Sequence, residues 1–188
     1  MGRQPFVPEQ LSEMADFEPP RVTSRAPDDP GPGPRADRTF LVVVDSSAEM
    51  RVALRFACRR AYHTNGRVGL LYVQELADSA QWMAVKEKMR EELREEAERV
   101  LQTLAAEVNR LTGQTPVLFV REGDRRDAIL KTIAEEPSIG VLVLGAGTGN
   151  KGPGPLVSEL AGKLSGKFPI PITVVPGNLS DAQIDALA

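Results

Sequence analysis

Two six-residue runs, Thr39-Phe-Leu-Val-Val-Val44 and Ile139-Gly-Val-Leu-Val-Leu144, are apolar at nearly every position. A strand with one wet face alternates apolar and polar residues, whereas a continuous apolar run needs cover on both faces. Helices supply that cover when parallel strands are joined by crossovers. The two runs therefore constrain this chain to a parallel α/β fold with helices on both sides of its sheet.

The remaining segments agree with that constraint. Ser46 or Ser47 caps a helix, with Ser46 and Glu49 at capping-box spacing. Met50, Ala53, Leu54, Ala57, Cys58 and Ala61 form its apolar stripe of 3.6-residue period. Asn65-Gly66 stops it. Arg67 to Gln74 reads as a second strand, and a long helix is expected from Gln81 to Thr112. Val85, Met89, Leu93, Val100, Leu101, Leu104, Val108 and Leu111 mark its buried side, and its Glu/Lys/Arg-rich remainder is a solvated face. A third strand is expected at Pro116–Val120, a third helix from Asp124 to Glu136, a fourth helix at Leu156–Lys167 and a fifth strand at Ile170–Val175. A last helical turn can start at Asp181. Five strands alternating with four helices make a single doubly wound five-stranded parallel sheet.

The fourth strand runs into a glycine-rich loop, with Gly145, Gly147, Gly149, Gly152 and Gly154 inside ten residues. Glycine lets the backbone approach a ligand closely, and such a loop ahead of a helix can aim several N–H groups at one anion. In a sheet of this kind ligands bind beyond the carboxyl ends of the strands, where strand order reverses. Asp45 ends the first strand and Gly145 ends the fourth. As neighbours, those strands would set the acid and the loop across one crevice. Asp45 reads equally well as a helix-start acid, and Ser158 as the cap of the fourth helix.

Composition narrows the function classes. A net charge of −3 argues against non-specific binding to nucleic acid or an anionic membrane. The single cysteine, Cys58, excludes a disulfide framework and reads as a buried small hydrophobe. No run is long enough to span a membrane and no apolar signal segment opens the chain, so a cytoplasmic location is expected. Residues 1–38 hold eight prolines among scattered charges and are expected to be a disordered extension, dispensable for folding. Phe6 and Leu11 to Phe17 offer a short docking anchor within it. The folded domain is expected over 39–176, with 177–188 as a tail. No His/Cys/carboxylate cluster has metal-ligand spacing, and His63 has no triad context. Gly147-Thr-Gly149-Asn-Lys-Gly152 is a literal G-x-G-x-x-G, but it follows the fourth strand and lacks the acid of a dinucleotide site, and no Walker lysine-serine pair ends it. Trp82 reads as a packing anchor or part of a partner surface.

Several of these segments together resemble the universal stress protein family. Thr39-Phe-Leu-Val-Val-Val-Asp45-Ser-Ser is similar to its opening. Val117-Leu-Phe-Val-Arg-Glu-Gly123-Asp with Ala128-Ile129 is similar to its third strand and helix, and Val141-Leu-Val-Leu-Gly145 with Pro169-Ile-Pro171-Ile-Thr-Val-Val175 to its ending. The resemblance covers about 39–176. It implies strand order 3-2-1-4-5, a homodimer and, in many members, ATP, with Mg accompanying it. Asp45 would then meet the adenosine, the backbone at Val73 the adenine, and the loop at Gly145, Gly147, Thr148 and Gly149, with Ser158, the phosphates.

The family's loop pattern is Gly-x2-Gly-x9-Gly-Ser/Thr. Counted from Gly145 without gaps, it meets Thr148, Ser158 and Glu159, so Glu159 is expected to repel a triphosphate and Lys151 to compensate in part. A one-residue gap restores Ser158 as the phosphate hydroxyl. Counted from Gly149, the pattern recovers Gly152 and Gly162 but ends on Lys163. Two functions are carried forward. One is a regulatory module holding an adenine nucleotide, at most a slow ATPase. The other is a dimeric interaction protein with unknown protein partners and an empty crevice.

Overall fold

The structure, a computed structural model, describes residues 38–75, 83–150 and 152–188, with the backbone alone over 83–90. The expectations for the extension and its docking anchor, for Trp82, Lys151 and the start of the long helix, and for Val85 and Met89 lie outside the described residues or side chains.

Strand β1 (Thr39–Val44) is buried along its whole length because it is the middle strand. It pairs in parallel with β2 (Arg67–Gln74) on one side and β4 (Ile139–Ala146) on the other. β3 (Val117–Glu122) adds to β2 and β5 (Ile172–Pro176) to β4, both in parallel. The order is β3-β2-β1-β4-β5, so the fold class and order read from the sequence hold.

Alternation along the strands divides the core into two layers. Phe40, Val42, Val44, Val68 and Leu70 face helices α1 (Ala48–Thr64) and α2 (Met83–Thr112). Leu41, Val43, Leu71, Leu142 and Leu144 face helix α3 (Arg125–Glu135) and the segment around Leu160. The buried residues of α1 are the six of the expected stripe. Along α2, Leu101, Leu104 and Val108 are buried as expected, and Ala97 joins them. None of the helices among the described residues is long and apolar enough to cross a membrane.

Four local expectations need correction. Of the two serines expected as cap, Ser47 is the one, its hydroxyl accepting from the Met50 N–H at 3.1 Å, so the expected capping box of Ser46 with Glu49 does not form. β3 starts at Val117, since Pro116 has no N–H to donate, and runs on to Glu122 beside Gln74. β5 begins at Ile172, after Pro169 and Pro171, and its pairing carries β4 on to Ala146, so Gly145 lies inside a strand. The expected fourth helix is a π-helical turn, Val157–Lys163, followed by a 3₁₀ turn, Ser165–Lys167. Gly162 stands within the wide turn, where glycine weakens α-helical geometry, and the Leu164 N–H reaches back five residues to the Glu159 carbonyl at 3.0 Å.

The tail forms a fourth α-helix, α4 (Asp181–Leu187), with a full capping box between Ser180 and Gln183. It docks on α1. Ile184 is buried, and Asp185 accepts two hydrogen bonds from the Arg55 guanidinium, at 3.1 and 2.7 Å. Arg55 also pairs with Asp181 at 3.0 Å, and Arg59 with Asp185 at 3.3 Å.

Candidate functional site

From β1 the chain crosses to β2 on one side, and β4 lies on the other, so the loops after β1 and β4 part at the carboxyl edge of the sheet. A cavity of about 250 Å³ opens there. Asp45, just after β1, and Gly145, one residue inside the end of β4, both line it, and so does Gly147.

Asp45 also organises the start of α1. Its Oδ1 accepts from the Ser47 N–H at 2.8 Å, which sets the turn that lets Ser47 cap the helix. The helix-start reading and the crevice reading of Asp45 therefore both describe it.

Opposite, the loop after β4 is held by its own backbone. The Gly147 N–H donates to the Pro153 carbonyl at 3.3 Å, and the Gly152 N–H to Gly149 at 3.1 Å. A Cβ on Gly147 would stand 2.9 Å from the Gly152 carbonyl oxygen, so only glycine allows this folding of the loop on itself. Gly152 and Gly154, at φ of +80° and +95°, need glycine for their backbone conformation.

The remaining expected residues do not line the cavity. Thr148, Gly149 and Ser158 are exposed, and Val73 is buried within the sheet, paired with Arg121. Glu159 turns away: its carboxylate meets Arg126 at 3.3 Å. Glu159 was expected to face the phosphate end; the structure instead pairs it with Arg126 and leaves it out of the cavity lining.

Sequence reasoning missed Glu49 and Arg125, which both line the cavity. Glu49 is the second residue of α1, in the helical turn that follows the strand end at Asp45, and that place was the available signal. Arg125 opens α3, whose preceding strand ends at the same sheet edge. Its guanidinium pairs with Glu75 at 3.2 Å, across from the end of β2. Among the described residues it is the one cation lining the cavity.

Comparison with known proteins places these features. The model of the Universal stress protein family matches residues 38–176. No curated protein sequence matches the chain. A universal stress protein family structure from Burkholderia pseudomallei is 20% identical, with a TM-score of 0.59, over 77% of this chain and 99% of that one. A universal stress protein from Lactobacillus plantarum is 22% identical, with a TM-score of 0.58, over 74% and 97%. A family protein from Arabidopsis thaliana, solved with AMP bound, is 14% identical, with a TM-score of 0.52, over 78% and 99%.

Proposed function

The chain belongs to the universal stress protein family, and from that premise we propose that this stress-response protein holds an adenine nucleotide, up to ATP with Mg, between the carboxyl ends of β1 and β4. The observation that carries this reading is the cavity at the sheet's switch point, with Asp45 on one side and Gly145 and Gly147 on the other. The AMP bound in the Arabidopsis thaliana relative supports the ligand class. In this reading Asp45 holds the adenosine end and the loop at Gly145 and Gly147 takes phosphate, while Val73, Thr148, Gly149 and Ser158, outside the cavity wall, meet only the parts of the ligand that reach beyond it. The loop must release the long Gly147–Pro153 hydrogen bond to present that N–H to an anion.

That same pair of internal loop bonds favours a second reading, in which the loop is kept for packing and the protein acts as a homodimeric interaction module. In both readings the dimer forms through β5, an edge strand whose Val174 is 38% exposed.

Isothermal titration with ATP separates the two. In the nucleotide reading Gly147→Val abolishes binding, because its Cβ has no room beside the Gly152 carbonyl. Asp45→Ala weakens binding by about 1.5–3 kcal/mol, and Asp45→Asn, which keeps an oxygen for the Ser47 N–H, isolates the charge. No heat from any nucleotide at millimolar concentration leaves the interaction module standing.

A further inference from the structure

Glu49 has an unusual setting for the second residue of a helix. Gly145 of β4 lies against its backbone, so a Cβ at Gly145 would strike the Glu49 carbonyl. Its side-chain stem crosses Gly177, where a Cβ would collide with the Glu49 Cγ. Its Oε1 ends 3.5 Å from where a Cβ on Gly147 would stand. Three glycines from two separate segments thus leave a slot for one side chain. The Gly177 N–H, donating to Ala146 at 2.8 Å, ties those segments together.

The slot delivers a carboxylate to the glycine loop, the element with the backbone donors an anion would use. Among the described residues no hydrogen bond or ion pair holds that carboxylate. The cavity's cation, Arg125, is already paired with Glu75, so among the described lining residues no unpaired side-chain cation faces Asp45 and Glu49.

We propose that Glu49 is the specificity-determining residue of this crevice, limiting how many phosphates an adenine ligand can carry. The inference rests on the nucleotide reading above. A fixed carboxylate a few ångströms from a phosphate repels it, and the repulsion grows with each added charge. The crevice then takes adenosine or AMP in preference to ATP.

The test is calorimetric titration of the full chain with adenosine, AMP and ATP, with EDTA and with Mg, in wild type, Glu49→Gln and Glu159→Gln. In EDTA wild type is expected to bind ATP more weakly than AMP, and Mg, which cancels part of the ATP charge, should narrow that gap. Glu49→Gln should tighten ATP roughly tenfold while moving adenosine by less than about twofold. Glu159→Gln, altering an acid paired with Arg126 outside the cavity, should change neither. Glu49→Ala serves as a second variant should the amide perturb the helix start, with the same gain expected. If AMP binds but ATP affinity in EDTA is unchanged in both Glu49 variants, or if wild type in EDTA prefers ATP, the role of Glu49 is wrong and the nucleotide reading survives. If no ligand binds any variant, the nucleotide reading fails and the inference falls with it.

Discussion

At the scale of single residues, close approaches decide more than polar contacts do. Gly145 is glycine because the first turn of α1 crosses it at the Glu49 backbone, which cannot swing aside as a side-chain tip can. Gly145→Ala is therefore expected to cost about 1–3 kcal/mol in a urea melt and to shift α1 relative to β4. Cys58 lies fully buried on α1, and burial pushes its thiol from an ordinary value of 9.0 up to about 12. A thiol reagent should leave it untouched in the native protein and modify it on unfolding. The folded thiol keeps its proton to higher pH than the unfolded one. Its contribution to stability is thus complete below pH 9.0 and is lost as pH rises toward about 12. Melts at pH 8 and pH 10.5 should show a smaller loss in Cys58→Ala than in wild type. Asp45 and Gly145 were legible in the sequence because strand ends define the crevice. Glu49 was not: with Ser46 as cap it reads as a capping-box partner. The true cap, Ser47, moves Glu49 one position along the first turn and into the cavity wall.

Among the elements, α4 is the one that lies beyond the family match at residue 176. It is held by Ile184 in the core and by Arg55 against Asp181 and Asp185. The hydrogen bond from Arg55 keeps the Asp185 carboxyl below its ordinary value of 3.8. The clamp is accordingly complete above pH 3.8 and is lost as the pH falls through the lowered value. In Asp185→Asn the amides of α4 should exchange faster while those of α1 keep their protection, and equal rates in both proteins would contradict the clamp. Ile184→Ala should cost about 2 kcal/mol or more. The sequence showed α4 only as a turn signal at Asp181, because seven residues hold too little periodicity to declare a helix. The π-helical turn was illegible for a different reason. Val157 and Leu160 have the spacing of an ordinary helix, and the five-residue reach of Leu164 appears only once the backbone is built.

For the whole molecule, the apolar runs of β1 and β4 made the covered parallel sheet legible. Its order came from the family resemblance, since alternation alone allows other orders. The homodimer expected through β5 is a statement at this scale as well. Sedimentation at micromolar concentration should show a dimer that Val174→Asp dissociates, and a wild-type monomer would remove it. What the molecule does turns on whether the crevice between β1 and β4 receives an adenine nucleotide. The most direct measurement is a titration of the isotopically labelled full chain with AMP, followed through its backbone amide resonances. Concentration-dependent shifts are predicted to cluster at Asp45, Glu49, Gly145, Gly147 and Gly154, with α4 and the exposed face of α2 unmoved. Unchanged spectra at millimolar AMP, or shifts confined to other surfaces, would contradict nucleotide binding at this site.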